Sequence, residues 1–427
     1  MVVLELSLFV LSVLAGIGVG AIAGLLPGVH VNNTSAILLG LTPALVASGV
    51  PSLYVAIIII ASTISQSFLD IVPSIFLGAP DEATVMAVLP GHRMLLEGRG
   101  VEAIRLSAMG SGLAIGISLI LIAPLSFFFS ALSEPLQSNM GIILIMISAL
   151  VILSNRGSGP FPGAPERVRA IFWAAAIFMA CGLLGIAAFN VESRLSPLVL
   201  IAAPSILLPL LSGLFGSPTL LLSLRSSSEM PPQHKSTISL PGKDILKSAI
   251  IGTAAGALVS WFPAVSTGVA TTVTGIFSKK SSADDRKYLV SISGVNTANA
   301  IFSLVALYVI GHPRSGAVAA AQSAIGPIDF ETFILLAFVM CLAGILTYPV
   351  TIIIGGSAAN IFSRLNYRML NASVLLFLIV MCLAMTGFLG LLIFLISTMI
   401  GLAPNFVNVR KTCLMGVLLL PCITYFT

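Results

Sequence analysis

Asp70 stands where an acid is hard to keep. It lies in the apolar run Tyr54–Leu77, among Ser62, Thr63, Ser65, Gln66 and Ser67. An ionised side chain at membrane depth is expensive unless it faces a cavity or a partner. With Ser65 and Gln66 beside it, Asp70 can ligate Na⁺ or carry a proton, the chemistry of an ion-coupled carrier. A structural pair with an Arg or His of a neighbouring helix is the other use of such an acid.

Two broken apolar stretches hold the remaining chemistry. The first runs Leu26-Pro27-Gly28-Val29-His30-Val31-Asn32-Asn33-Thr34-Ser35. Proline stops the incoming helix, glycine turns the chain, and small polar side chains start the next helix, with Asn33 or Thr34 expected as its N-cap. The second runs Trp261-Phe262-Pro263-Ala264-Val265-Ser266-Thr267-Gly268, with Thr271 one turn on. A later apolar run contributes Ser291, Ser293, Asn296, Thr297 and Asn299. Breaks at membrane depth free backbone N–H and C=O groups that survive only inside protein or against a wet cavity. Helix N-termini, hydroxyls and amides there suit an anionic organic solute. The expected solute site is therefore Pro27, Gly28, His30, Asn32, Asn33, Thr34, Ser35, Pro263, Ser266, Thr267, Thr271, Asn296 and Asn299, with Asp70, Ser65 and Gln66 serving a coupling ion. The scarcity of cations within the spans argues against a pocket built on an Arg–carboxylate pair.

The elements that must position these residues follow from composition. Of 427 residues, 57% are hydrophobic and 8% charged, far below the quarter or so of charge that a soluble surface needs. Lipid is the solvent, and the long apolar runs without period-two alternation make the spans helices. Candidate spans cover 5–26, 51–79, 106–132, 139–154, 170–189, 195–222, 288–311, 329–355, 370–386, 387–404 and 412–427. With the broken regions 27–49 and 248–277, eleven to thirteen elements lie in the membrane. The first segment carries Glu5 and no basic n-region, so it reads as a retained span rather than a signal peptide.

Basic residues gather at Arg93/Arg99/Arg105, at Arg156/Arg167/Arg169, at Arg225/Lys235/Lys243/Lys247 and at Lys279/Lys280/Arg286/Lys287. The positive-inside rule puts these loops in the cytoplasm and the N-terminus outside, for a multi-pass protein of the cell membrane. The polar stretch 224–247 reads as a cytoplasmic linker between two halves, 1–223 and 248–427. Gly16, Gly20, Pro27 and Val29 match Gly252, Gly256, Pro263 and Val265 at one spacing. Gly78-Ala79-Pro80 and Gly311-His312-Pro313 end corresponding spans on opposite faces by the charge rule. The expectation is an all-α fold of two inverted repeats, each with a Pro-broken re-entrant hairpin.

Enzyme chemistry finds little support. There is no Ser/His/Asp set, no HExxH and no metal-ligand cluster, and the glycines near 16–24 precede no phosphate loop. The cysteines (Cys181, Cys341, Cys382, Cys413, Cys422) lie in apolar runs without CxxC spacing, which suits buried thiols. Neither a cofactor beyond a coupling Na⁺ or H⁺ nor a nucleic-acid partner is expected. A channel or lipid-handling protein without ion coupling is the alternative to a permease.

The stretch GVGAIAGLLPGVHVNNTSAILLGLTPAL, with Gly20, Gly24, Pro27, Gly28 and Thr42-Pro43, resembles the first signature of the large membrane subunit of tripartite tricarboxylate transporters, the TctA type. The block from Gly78-Ala79-Pro80 to Pro90-Gly91-His92 and Glu97-Gly98 resembles its second. Gly256…Pro263 and Asn296…Asn299 resemble the repeated block. The resemblance implies carboxylate uptake (di- or tricarboxylate), a small membrane subunit and an extracytoplasmic solute-binding protein. Departures are Pro263-Ala264 in place of Pro-Gly, the aspartate at 70, and a short chain.

Overall fold

The computed structural model describes residues 2–26, 29, 31–76, 84, 87–153, 155, 164–198, 206–225, 231, 233, 238–261, 267–268, 270–271, 282–362 and 367–426. Its helices, in chain order, are α1 (Val2–Leu25), α2 (Val31–Ala47), α3 (Ser52–Leu69), α4 (Ile71–Phe76), α5 (Val88–Leu96), α6 (Gly100–Ser138), α7 (Met140–Leu153) and α8 (Ala164–Asn190). They continue with α9 (Leu207–Leu211), α10 (Ser217–Arg225), α11 (Gly242–Val259), α12 (Ser282–Ile310), α13 (Gly316–Ile325), α14 (Phe330–Phe362), α15 (Tyr367–Val407) and α16 (Gly416–Phe426). No strand occurs among the described residues. Seven described helices are long and apolar enough to cross a bilayer, and five shorter apolar helices accompany them. The chain is an all-α, multi-pass membrane protein, as its composition requires.

α15 holds two of the expected spans end to end. Gly387 breaks it with φ 71° and ψ −167°, a conformation that disfavours any side chain. A Cβ there would also strike the Ser196 carbonyl. The break falls at the junction between the two sequence-predicted segments 370–386 and 387–404. Within the expected span 195–222, the described residues 195–198 are not helical. Leu198 N–H donates to the Ala384 carbonyl at 2.9 Å, Glu192 accepts from Ile206 N–H at 3.0 Å, and a described helix runs from Leu207.

Two spans are enclosed by protein. In Ser52–Phe76 and Asp285–Ile310, 94% and 89% of the apolar window is buried, against 39–44% in the other five. These are the spans that carry the Ser-, Asn- and Gln-rich clusters, because only a span shielded from lipid can hold so many polar side chains. Each is packed in the same way. Gly16 and Gly20 of α1 abut the Ile58 and Ser62 carbonyls of α3, and Gly252 and Gly256 of α11 abut the Ser291 and Val295 carbonyls of α12. The small-residue spacing serves close helix approach. Each enclosed span is then covered by a long helix from the other half, α12 by α6 and α3 by α14.

The helices sort into two packing groups. The first comprises α1–α6 and α11–α14, around Ile57, Ile60, Phe68 and Phe302. The second comprises α7–α10, α15 and α16, around Leu144, Phe178, Leu214 and Leu414. Both draw on residues before and after the 224–247 stretch. Val259 and Val295 of the first group, and Ala270 between α11 and α12, pack into the core of the second. Cys181, Cys382 and Cys413 are buried, while Cys341 and Cys422 are partly exposed.

Basic loops meet at one end of the first group. Glu102, fully buried, binds Arg99 Nε at 2.9 Å and accepts from Ser239 N–H at 3.2 Å. Arg286 lies 3.8 Å from the same carboxylate. Arg93 pairs with Asp285, and Lys287 pairs with Asp244 at 3.0 Å. Three of the four basic stretches, those holding Arg93/Arg99, Lys243/Lys247 and Arg286/Lys287, thus meet at one end of the first group.

Candidate functional site

A cavity of about 550 Å³ lies where the two packing groups meet. Its polar wall comes from the first group. α3 and the α3–α4 junction contribute Thr63, Gln66, Ser67 and Asp70, α2 contributes Asn32, and α12 contributes Asn296 and Asn299. Ser260 and Thr267 flank the second break. Arg314, Ser315 and Gly316 open α13. Phe189, Leu207, Leu418 and Pro421 from the second group form a mainly apolar wall, to which Cys422 adds a thiol and Tyr425 a hydroxyl.

Asp70 caps α3, its N–H bonding the Gln66 carbonyl at 2.9 Å. Its carboxylate Oδ2 accepts from Asn296 Nδ2 at 2.8 Å, and the same amide reaches the Ser67 carbonyl at 3.4 Å. Ser67 and Thr297 hydroxyls meet at 3.4 Å. The two enclosed spans are therefore joined at the acid. Gln66 Nε2 donates to the Val29 carbonyl at 2.7 Å, and Thr34 Oγ1 donates to Gln66 Oε1 at 3.4 Å. One side chain thus ties α3 to the chain entering α2 and satisfies a carbonyl freed at the first break.

The structure brings Asn32, Gln66, Asp70, Thr267, Asn296 and Asn299 to one cavity, as the sequence grouped them. Ser65 turns away and donates to the Ile17 carbonyl at 2.9 Å. Ser35 back-bonds to the Val31 carbonyl at 2.8 Å, and Thr271 Oγ1 bonds the Gly268 carbonyl at 2.9 Å. Asn33 is helical, its side chain outside the described residues; Pro27, Gly28, His30, Pro263 and Ser266 also lie outside them. α2 starts at Val31, so Asn33 and Thr34 sit within its first turn and do not cap it.

Arg314 corrects the expectation that no cation joins the pocket. It lines the cavity, and its Nε and Nη2 are buried without a hydrogen-bond partner. Burial holds its pKa below the usual guanidinium value, the mark of a cation short of compensating charge. Ser315 caps α13 by accepting from Val318 N–H at 3.3 Å, and Asn32 packs its side chain against the bare Cα of Gly316. The first N–H groups of a helix lack intrahelical partners and carry partial positive charge. Guanidinium and helix N-terminus together make an anion-binding corner. Arg314 was not among the expected site residues; the sequence signal was its place directly after Gly311-His312-Pro313 and before a capping serine.

Residues 10–416 match the family described as "Tripartite tricarboxylate transporter TctA family". The chain belongs to the TctA family. That makes it a component of a transporter family. The uncharacterized protein MJ1079 of Methanocaldococcus jannaschii is 27% identical, over 97% of this chain and 98% of that protein. No solved structure matches the chain significantly.

Proposed function

We propose that this TctA-family chain is a secondary-active permease for a carboxylate-bearing organic anion. The observation that carries the proposal is the placement of Asp70 and Arg314 in one cavity between two helix groups. The carboxylate docks on Arg314, the α13 N-terminus and Asn32. Asp70, held by Asn296, takes up the coupling Na⁺ or H⁺ and so relieves its repulsion of the bound anion.

Alternating access comes from displacement of one packing group against the other. Each group packs internally through many helix pairs, while Val259, Ala270 and Val295 link the two. The like packing of α1 on α3 and α11 on α12 supports two repeats, inverted by the charge rule, with the Pro27 and Pro263 breaks as re-entrant hairpins near the midplane. The family supports a small membrane subunit and an extracytoplasmic solute-binding protein as partners.

The test is uptake of labelled carboxylates into proteoliposomes under imposed Na⁺ or H⁺ gradients, native against Asp70→Asn. Uptake driven by a gradient and lost in the variant supports coupled transport. Downhill flux that neither ion gradient accelerates, equal in both proteins, favours a channel.

A further inference from the structure

Among the described residues, the cavity's charged side chains are one carboxylate, Asp70, and one guanidinium, Arg314. Two of the four amides beside them are partly spent, Gln66 Nε2 on the Val29 carbonyl and Asn296 Nδ2 on Asp70 and on the Ser67 carbonyl, and Asn32 and Asn299 are the other two. A solute with three carboxylates would bring in charges that this set cannot pair, next to an acid that repels them. Uncompensated buried charge is the costliest mismatch a binding site can hold. Facing the polar wall, Phe189, Leu207, Leu418 and Pro421 offer apolar surface to a hydrocarbon body, and among the described lining residues of the second group only the Tyr425 hydroxyl adds an O–H donor.

From this division, and resting on the permease proposal above, we infer that the solute carries a single carboxylate on an apolar body. The carboxylate sits at Arg314 and the α13 N-terminus, on the first packing group. The body lies on the apolar wall of the second, so that one solute bridges both groups. A plain monocarboxylate and an apolar amino acid share this chemistry; in the second, the ammonium faces Asp70.

The test is equilibrium binding to the purified full chain in nanodiscs. Acetate, butyrate, hexanoate, 3-phenylpropionate, phenylalanine, succinate and citrate are compared. Affinity is expected to rise from acetate to hexanoate by about fourfold per added methylene, with succinate and citrate no tighter than acetate. Arg314→Gln should weaken 3-phenylpropionate at least about tenfold, the scale of a lost charge-assisted contact. Leu418→Asn should weaken hexanoate several-fold and leave acetate unchanged. Phenylalanine tighter than 3-phenylpropionate, with the gain lost in Asp70→Asn, identifies the amino-acid form; the reverse order identifies the plain acid. Citrate or succinate tighter than hexanoate, with Arg314→Gln abolishing it, overturns the inference and leaves the permease standing. A chain-length trend unchanged in Arg314→Gln is mere partitioning and overturns it as well. Binding of none of the acids overturns inference and carboxylate permease together.

Discussion

Asn296 donates its side-chain amide to Asp70 Oδ2 at 2.8 Å, and through this bond the two protein-enclosed spans meet at the acid. Asn296→Ala removes a donor from a buried carboxylate, and leaving such a group short of a partner costs about 1–3 kcal/mol. The variant should unfold earlier in a detergent thermal scan, and Asn296→Asp should do worse because it sets two acids side by side. A variant as stable as the native chain would show that water or another donor replaces the amide at no cost.

Gly20 and Gly256 hold their helices against the backbone of α3 and α12. A valine at either position has to push a carbonyl aside, and overpacking of this kind costs about 1–3 kcal/mol. Gly20→Val and Gly256→Val should each lower the folded, monodisperse fraction on size-exclusion chromatography. Gly18→Val is the control, since nothing lies within 4 Å of a Cβ there.

Much of the fold was legible because lipid enforces it. A bilayer needs roughly twenty apolar residues per span, so the positions of the long spans and the junction near Gly387 followed from run lengths. The sorting of helices into two groups did not, since α7 and α14 have the same kind of apolar surface and hydropathy says nothing about partners. In the site, Gln66 and Ser65 were indistinguishable by composition. One turns into the cavity and the other onto Ile17, a rotation about the helix axis that a span buried on all sides does not betray. Arg314 was passed over for a related reason: it lies in a connection between apolar runs, and run lengths do not show that the fold turns it inward.

His92 supplies a pH test away from the cavity. Burial holds its imidazole below the ordinary pKa of 6.5, opposed by a backbone hydrogen bond to Ile75 and reinforced by the nearby Lys411 charge. The unfolded chain thus binds the proton more readily than the folded one. The stability that His92 contributes is complete above 6.5 and is lost as pH falls below it. Melting temperature measured from about pH 8 to about pH 5 should fall more steeply in the native chain than in His92→Gln. Parallel curves would rule the imidazole out.

Glu102 is the buried hub of the charged end, contacting Arg99, Ser239 and Arg286. Removing one partner of a buried pair strands the others, at about 3–5 kcal/mol. Glu102→Ala should therefore be among the least stable single variants. Because Ser239 lies in the 224–247 stretch, limited proteolysis there should also quicken. Cleavage at the native rate would mean that the segment is held by Gln233, which bonds Gly100 N–H and the Leu95 carbonyl, without help from the acid.

Cys422 lines the cavity from the apolar side, whereas Cys181, Cys382 and Cys413 are buried in helix packing. A thiol reagent reaching Cys422 sets bulk and charge where the solute body is proposed to lie, so a small charged methanethiosulfonate should abolish uptake by the native chain. Cys422→Ser should transport normally and resist the reagent, because a hydroxyl keeps the side chain's size without its reactivity. Saturating solute should slow the modification several-fold, since a ligand shields the site in proportion to its occupancy. Inhibition that persists in Cys422→Ser would point to the partly exposed Cys341, and modification indifferent to solute would place the transported molecule outside this cavity.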